Sequence, residues 1–110
     1  MLINHLKDNF DKAKKLHQKG DLISAISIYL EILKIDKNNS IINFYLGTAY
    51  LQSGAFENSI KYLEKSLSSK STNPMIYNNL GISFMEIFEF EKAKENFDKA
   101  LKIKIDFPDV

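Results

Sequence analysis

The chain contains no cysteine, which excludes disulfide frameworks, thiolate zinc sites and cysteine nucleophiles together and suits a reducing compartment. Arginine is missing as well. All fifteen basic residues are lysine, an imbalance that, with the many Asn, Ile and Phe residues, reflects AT-rich coding more than a selected chemistry. The formal net charge is +1, so no strong field of one sign is present to hold nucleic acid. No apolar run approaches the roughly 20 residues of a membrane helix. Residues 1–10 carry Lys7 and Asp8 in an amphipathic pattern where a secretory signal would place an unbroken apolar stretch. A cytoplasmic protein is expected.

Sites for chemistry are equally scarce. The two histidines, His5 and His17, are twelve residues apart without an HExxH spacing, and each reads as a solvated or partly packed side chain rather than a metal ligand. Gly47 and Gly81 lie in Leu-Gly pairs within helical patterns and belong to no phosphate loop. No nucleophile elbow brings Ser, Asp and His together. The expectation is a non-enzyme with no metal and no cofactor.

What is present is a period of 34 residues. Gly20 and Gly54, then Leu22, Phe56 and Phe90, then Leu33, Leu67 and Leu101, and Pro74 and Pro108 fall into one register. Further columns keep size rather than identity: Ala13, Gly47 and Gly81; Leu16, Tyr50 and Phe84; Ala25, Ser59 and Ala93; Tyr29, Leu63 and Phe97. Helices that approach closely need Ala, Ser or Gly at the contact and a bulky apolar neighbour beside it, so a repeat of this kind marks stacked helix pairs.

Apolar residues recur at three and four residue spacings, with no strand-like alternation, and predict six helices near residues 4–18, 21–35, 40–52, 56–68, 74–87 and 90–103. Gly20 and Gly54 mark where the first helix of a pair ends and reverses, since a left-handed backbone is cheap for Gly. Phe88 occupies the third such place, and its bulk predicts a different turn or a longer helix there. Between hairpins lie residues 36–40 and 69–74, polar segments in which Ser and Asn can cap helices and Pro74 suits a first helical turn.

These residues resemble the tetratricopeptide repeat, with its aromatic, Leu-Gly, aromatic, Ala, aromatic and closing Pro pattern. The third repeat carries Tyr77, Leu80-Gly81, Phe84, Ala93, Phe97 and Ala100-Leu101. The second carries Leu46-Gly47, Tyr50, Ser59, Leu63 and Ser66-Leu67, with Asn43 in place of the leading aromatic. The first has Asn9 and Lys12 for aromatic and Leu but keeps Ala13, Leu16, Gly20, Ala25, Tyr29 and Ile32-Leu33. The pentatricopeptide repeat, of period near 35 and different pattern, fits less well. The resemblance implies an all-α fold, a right-handed superhelical α-solenoid of three antiparallel helix-turn-helix hairpins. Its repeats are 6–39, 40–73 and 74–107, with 108–110 opening a truncated fourth that copies the junction at residues 72–76.

The resemblance also implies that the first helix of each pair lines a concave groove. The candidate site is Phe10, Lys14, Ile41, Phe44, Tyr45, Thr48, Met75, Asn78, Asn79 and Ile82, with Phe44 and Tyr45 as rigid aromatic anchors and Lys14, Thr48, Asn78 and Asn79 orienting a partner. One subgroup of the family grips the carboxylate tail of heat-shock chaperones with Lys, Asn and Arg, and the matching positions here are Phe10, Lys14, Tyr45, Met75 and Asn79, so that clamp is absent. The expected function is a protein-protein interaction module that takes a peptide or helix in its groove. The alternative is an amino-terminal, substrate-recruiting segment of a larger glycosyl- or sulfotransferase-like enzyme. Self-association through an uncapped end at Phe97, Leu101 and Ile105 is a further expectation; nucleic acid and membrane partners are not expected.

Overall fold

The computed structural model describes residues 2–68 and 73–106, with side chains described between Asn4 and Lys104 in those stretches. Six helices follow one another: α1 Leu2–Gln18, α2 Leu22–Ile35, α3 Ser40–Ser53, α4 Phe56–Ser66, α5 Pro74–Glu86 and α6 Phe90–Asp106. Among the described residues there is no strand. Each helix packs on the next in the chain, α3 also touches α5, and Phe10 of α1 meets Tyr45 of α3, so the first helices of successive pairs share an inner layer. The architecture is an α-solenoid of three antiparallel hairpins. None of its helices is long and apolar enough to cross a membrane, among the described residues.

The helix starts follow from capping chemistry. The Asn39 carboxamide accepts from the Ile42 N–H at 3.0 Å, and Asn73 accepts from Met75 N–H at 3.0 Å with Pro74 in the first turn, where its missing N–H costs nothing. Asp21 accepts from Ser24 N–H at 3.2 Å, which makes it the cap of α2 rather than its first residue. Two ends differ from expectation: α4 stops at Ser66, where Leu67 turns extended, and α6 runs on to Asp106.

The columns of small residues lie in the core, whereas Phe90 and Leu101 of two apolar columns stay exposed. Ala13, Ala25, Tyr29, Ser59, Leu63 and Ala93 are all buried, and the glycine column shows why size is kept. A Cβ on Gly47 would lie 2.7 Å from Leu63 Cγ and 2.9 Å from its backbone nitrogen; one on Gly81 would lie 2.6 Å from the Phe97 ring. Helix pairs approach so closely there that even a methyl fits only if a neighbour shifts.

The third turn corrects the sequence-based expectation. Gly20 and Gly54 take φ of 88° and 86°, and Phe88 takes 67°, the same left-handed conformation. The hydrogen bonds also match. Gly54 N–H donates to Leu51 and Ala55 N–H to Tyr50, while Phe88 N–H donates to Met85 and Glu89 N–H to Phe84. These are the paired bonds of a Schellman ending. Satisfying the last helical carbonyls outweighs the roughly 1–2 kcal/mol that a side chain costs in this region, so bulk at Phe88 changes neither the turn nor the helix length.

Candidate functional site in the concave groove

The inner layer places α1, α3 and α5 side by side, and the residues expected in the groove fall into three groups. Phe44 stands half-buried between two recesses. One, of 380 Å³, is lined by Lys14, His17, Gln18, Tyr45, Thr48 and Gln52; the other, of 340 Å³, includes Ile41, Ser66, Asn73 and Ile76. Ile41, Met75 and Ile82 are exposed, which leaves three apolar side chains along the inner helices without cover. Asn78 is half-buried and lines a third recess of 360 Å³ with Pro74, Met75, Phe97, Ala100 and Leu101.

The second group is already committed to the fold. The Tyr45 ring packs edge-on against Phe10 at 5.2 Å and Phe44 at 5.7 Å and lies 6.1 Å from Tyr29, so it forms the floor of the recess. Phe10 is half-buried against Tyr29 and Tyr45, and its free face is covered by the Lys14 ammonium 4.3 Å from the ring centre. Asn79 requires a correction. It is 6% exposed, and its carboxamide donates to the Thr48 hydroxyl at 3.2 Å, tying α5 to α3. The pair braces the groove from within, and Asn79 offers a partner little.

Lys14 forms the third group. Its ammonium sits over Phe10 and 3.6 Å from the Asp11 carboxylate, half-exposed at the edge of the recess. At the five positions that carry the chaperone-tail clamp in the resembling subgroup, this is the one cation, and its charge is shared with Asp11.

Sequence reasoning missed His17. Its Nε2 donates to the Gln52 side-chain oxygen at 2.6 Å, and in the neutral ring Nδ1 then accepts from the Tyr29 hydroxyl at 2.9 Å. One imidazole thereby joins α1, α2 and α3, with its ring edge-on to Tyr29 and Tyr45. A lone His in a helical pattern gives no sign of this, because its partners lie 12 and 35 residues away. Burial, with a smaller contribution from neighbouring Tyr45, holds the Tyr29 phenol well above its ordinary range, so the hydroxyl stays a donor. Tyr50, stacked on Tyr62 at 5.6 Å, is raised by the same two causes in the same order, burial and then the other phenol.

Among the described residues no three His, Asp or Glu side chains gather as metal ligands. At the far end, Phe97 is half-buried, Leu101 is 58% exposed, and the Ile105 side chain lies outside the described residues, as does the expected fourth-repeat start at 108–110.

The tetratricopeptide repeat profile matches residues 42–73 and 76–104, more than half of the chain. The chain belongs to the tetratricopeptide repeat family. The match covers the second and third hairpins. The first departs most from the pattern, with Lys12 where α3 and α5 have Leu46 and Leu80. A stretch of 63 residues is 30% identical to the Hsp70-Hsp90 organising protein of Plasmodium falciparum, covering 57% of this chain and 25% of that protein. The chain therefore spans only about a quarter of that relative's length.

Solved tetratricopeptide structures superpose on all three hairpins. The second such domain of Spaghetti (RPAP3), bound to the HSP90 peptide SRMEEVD, gives a TM-score of 0.82 at 17% identity over 89% of this chain and 91% of that one. The Sgt2 domain from Aspergillus fumigatus gives 0.81 at 19% identity over 91% and 66%. MamA gives 0.84 at 27% identity over 93% of this chain and 56% of that one.

Proposed function

We propose that the chain is a non-catalytic protein-protein interaction module that docks a partner segment, extended or helical, in the concave groove. The observation that carries this reading is the position of Phe44 between two open recesses, with uncovered Ile41, Met75 and Ile82 continuing an apolar track along the inner helices. Rigid aromatic and aliphatic side chains of this kind give contact area at little entropic cost. Tyr45 and Phe10 supply a fixed floor, held by Tyr29 and His17, so the groove is formed before a partner arrives. Gln18, Gln52 and Lys14 supply polar contacts at the rim.

The Spaghetti (RPAP3) structure supports a peptide as the partner class, since that domain is bound to an HSP90 peptide. The chemistry favoured here is different. An acidic tail with a terminal carboxylate needs several cations, and this groove offers Lys14 beside Asp11. An apolar segment with a few hydrogen-bonding groups is the better fit.

Selection from a random peptide library, run on the parent and on Phe44→Lys, tests the proposal. The expected result is a set of sequences with hydrophobic anchors that the parent retains and the folded variant releases, and no enrichment of acidic tails. No selected binders, or binders kept equally by Phe44→Lys, would overturn it.

A further inference from the structure

Two surface features at opposite ends of the stack have no part in the groove. The first is the third turn. Phe88 is 77% exposed in a left-handed backbone, and Phe90 beside it is 61% exposed, the two rings edge-on at 6.1 Å. The corresponding turns use Gly20 and Gly54, which adopt that conformation without strain. Phe88 therefore brings strain to the fold and buries little in return, a combination that points to use rather than to stability. Exposed Glu86, Glu89 and Glu91 flank the rings, and none of the three is ion-paired among the described residues.

The second feature is the outer face of the first hairpin. Lys12, Lys15 and Lys19 occupy the columns that hold Leu46, Ala49 and Ser53 in the second repeat and Leu80, Ser83 and Ile87 in the third. All three lysines are exposed and follow one another along a single face of α1 and into its turn. Just past Lys19, Ile23 is 85% exposed. The acids nearby are Asp8 at the far end of the stripe, Asp11 beside Lys14, and Asp21, which caps α2.

We propose that the aromatic, acidic tip of the third hairpin docks on the basic stripe of the first hairpin of a second copy. Phe88 and Phe90 meet Ile23 and the lysine stems, while Glu86, Glu89 and Glu91 face Lys12, Lys15 and Lys19. Both charge and apolar character are complementary across the contact. The stripe is a poor mate for the apolar end at Phe97 and Leu101, because lysines buried there would lose their water without gaining a partner. The two surfaces are different patches of one molecule, so the contact is heterologous and adds copies head to tail instead of closing as a two-fold pair. Exposed charges contribute much of it, which makes it weak and salt-sensitive.

Sedimentation velocity of the full chain, from micromolar to millimolar concentration in low and high salt, tests this directly. The expected result is an average mass that rises with concentration in low salt and returns to the monomer in high salt. Phe88→Gly separates docking from folding: it should raise the melting temperature by about 4 °C, because strain is relieved, while weakening association roughly tenfold. Reversing the tip (Glu86→Lys, Glu89→Lys, Glu91→Lys) or the stripe (Lys12→Glu, Lys15→Glu, Lys19→Glu) should each give monomers, and mixing the two variants should restore association. Leu101→Lys should leave it unchanged. A parent that stays monomeric in low salt, association that survives Phe88→Gly and both reversals, or association lost only in Leu101→Lys would each overturn the proposal.

Discussion

Where the first hairpin meets the second, the columns of small residues hold Ala25 and Ala49, both fully buried; where the second meets the third, the same columns hold Ser59 and Ser83, whose hydroxyls lie 3.1 Å apart. Ser83 also donates to the Asn79 carbonyl at 2.9 Å. The constraint at these positions is volume. Polarity is tolerated provided that each buried hydroxyl finds a partner within the joint. The joints differ in their bulky residues too. The first is an aromatic cluster of Phe10, Tyr29 and Tyr45 pinned by His17, whereas the second relies on Leu63 and the Asn79–Thr48 bond. The aromatic joint builds the groove floor, and the polar joint fixes how α5 sits beside α3.

The largest effect is expected at the glycine column. Gly47→Ala pushes a methyl against the Leu63 backbone nitrogen, which cannot move without shifting α4, and should cost about 3 kcal/mol. The nearest atoms to the methyl of Gly81→Ala are those of the half-buried Phe97 ring, which can turn aside, and the change should cost about 1 kcal/mol. Urea denaturation of the two variants gives the difference. Equal losses would show that the middle and last hairpins are packed alike.

Next in size is the alkaline limb that Tyr29 brings to the aromatic joint. Tyr29 is fully buried and its phenol is held up by that burial, so the folded state keeps the proton after the unfolded chain releases it. The stabilisation is complete below about pH 10 and declines as pH rises toward the folded value, reaching a loss of about 1.4 kcal/mol at pH 11. Stability of the parent and of Tyr29→Phe across this range checks the sign: the variant should lose the Tyr29 share of the decline and keep that of Tyr50, whose phenol is also raised.

Smaller again is the polar joint. Ser59→Ala alone leaves Ser83 without its hydroxyl neighbour and should cost about 1 kcal/mol. Ser59→Ala with Ser83→Ala recreates the Ala25 and Ala49 arrangement and should cost less than the sum of the single changes, by roughly 0.5 kcal/mol or more in a double-mutant cycle. Additive losses would mean that the two hydroxyls do not act as a pair.

The 34-residue register and its apolar spacing placed six helices and the small-residue columns of the core, because close helix packing filters residues by size at fixed positions, but left out buried Ile42, Ala49 and Ile76. Three particulars escaped it for physical reasons. The Phe88 turn is set by carbonyls of α5 seeking donors, a demand that side-chain bulk at one position does not reveal. The pairing of Asn79 with Thr48 spans 31 residues and depends on how closely α3 and α5 approach. His17 reads as an isolated polar residue until α2 and α3 bring Tyr29 and Gln52 to its two nitrogens. The family resemblance implied which helices line the groove; packing decides which of their side chains are exposed there.

The most direct test of the groove reading is an amide chemical-shift map of the isotopically labelled chain titrated with a library-selected peptide. Shifts are expected at Lys14, Ile41, Phe44, Thr48, Gln52 and Met75, with the outer helices α2, α4 and α6 silent. Shifts confined to those outer helices or to the turns at Gly20, Gly54 and Phe88 would contradict it.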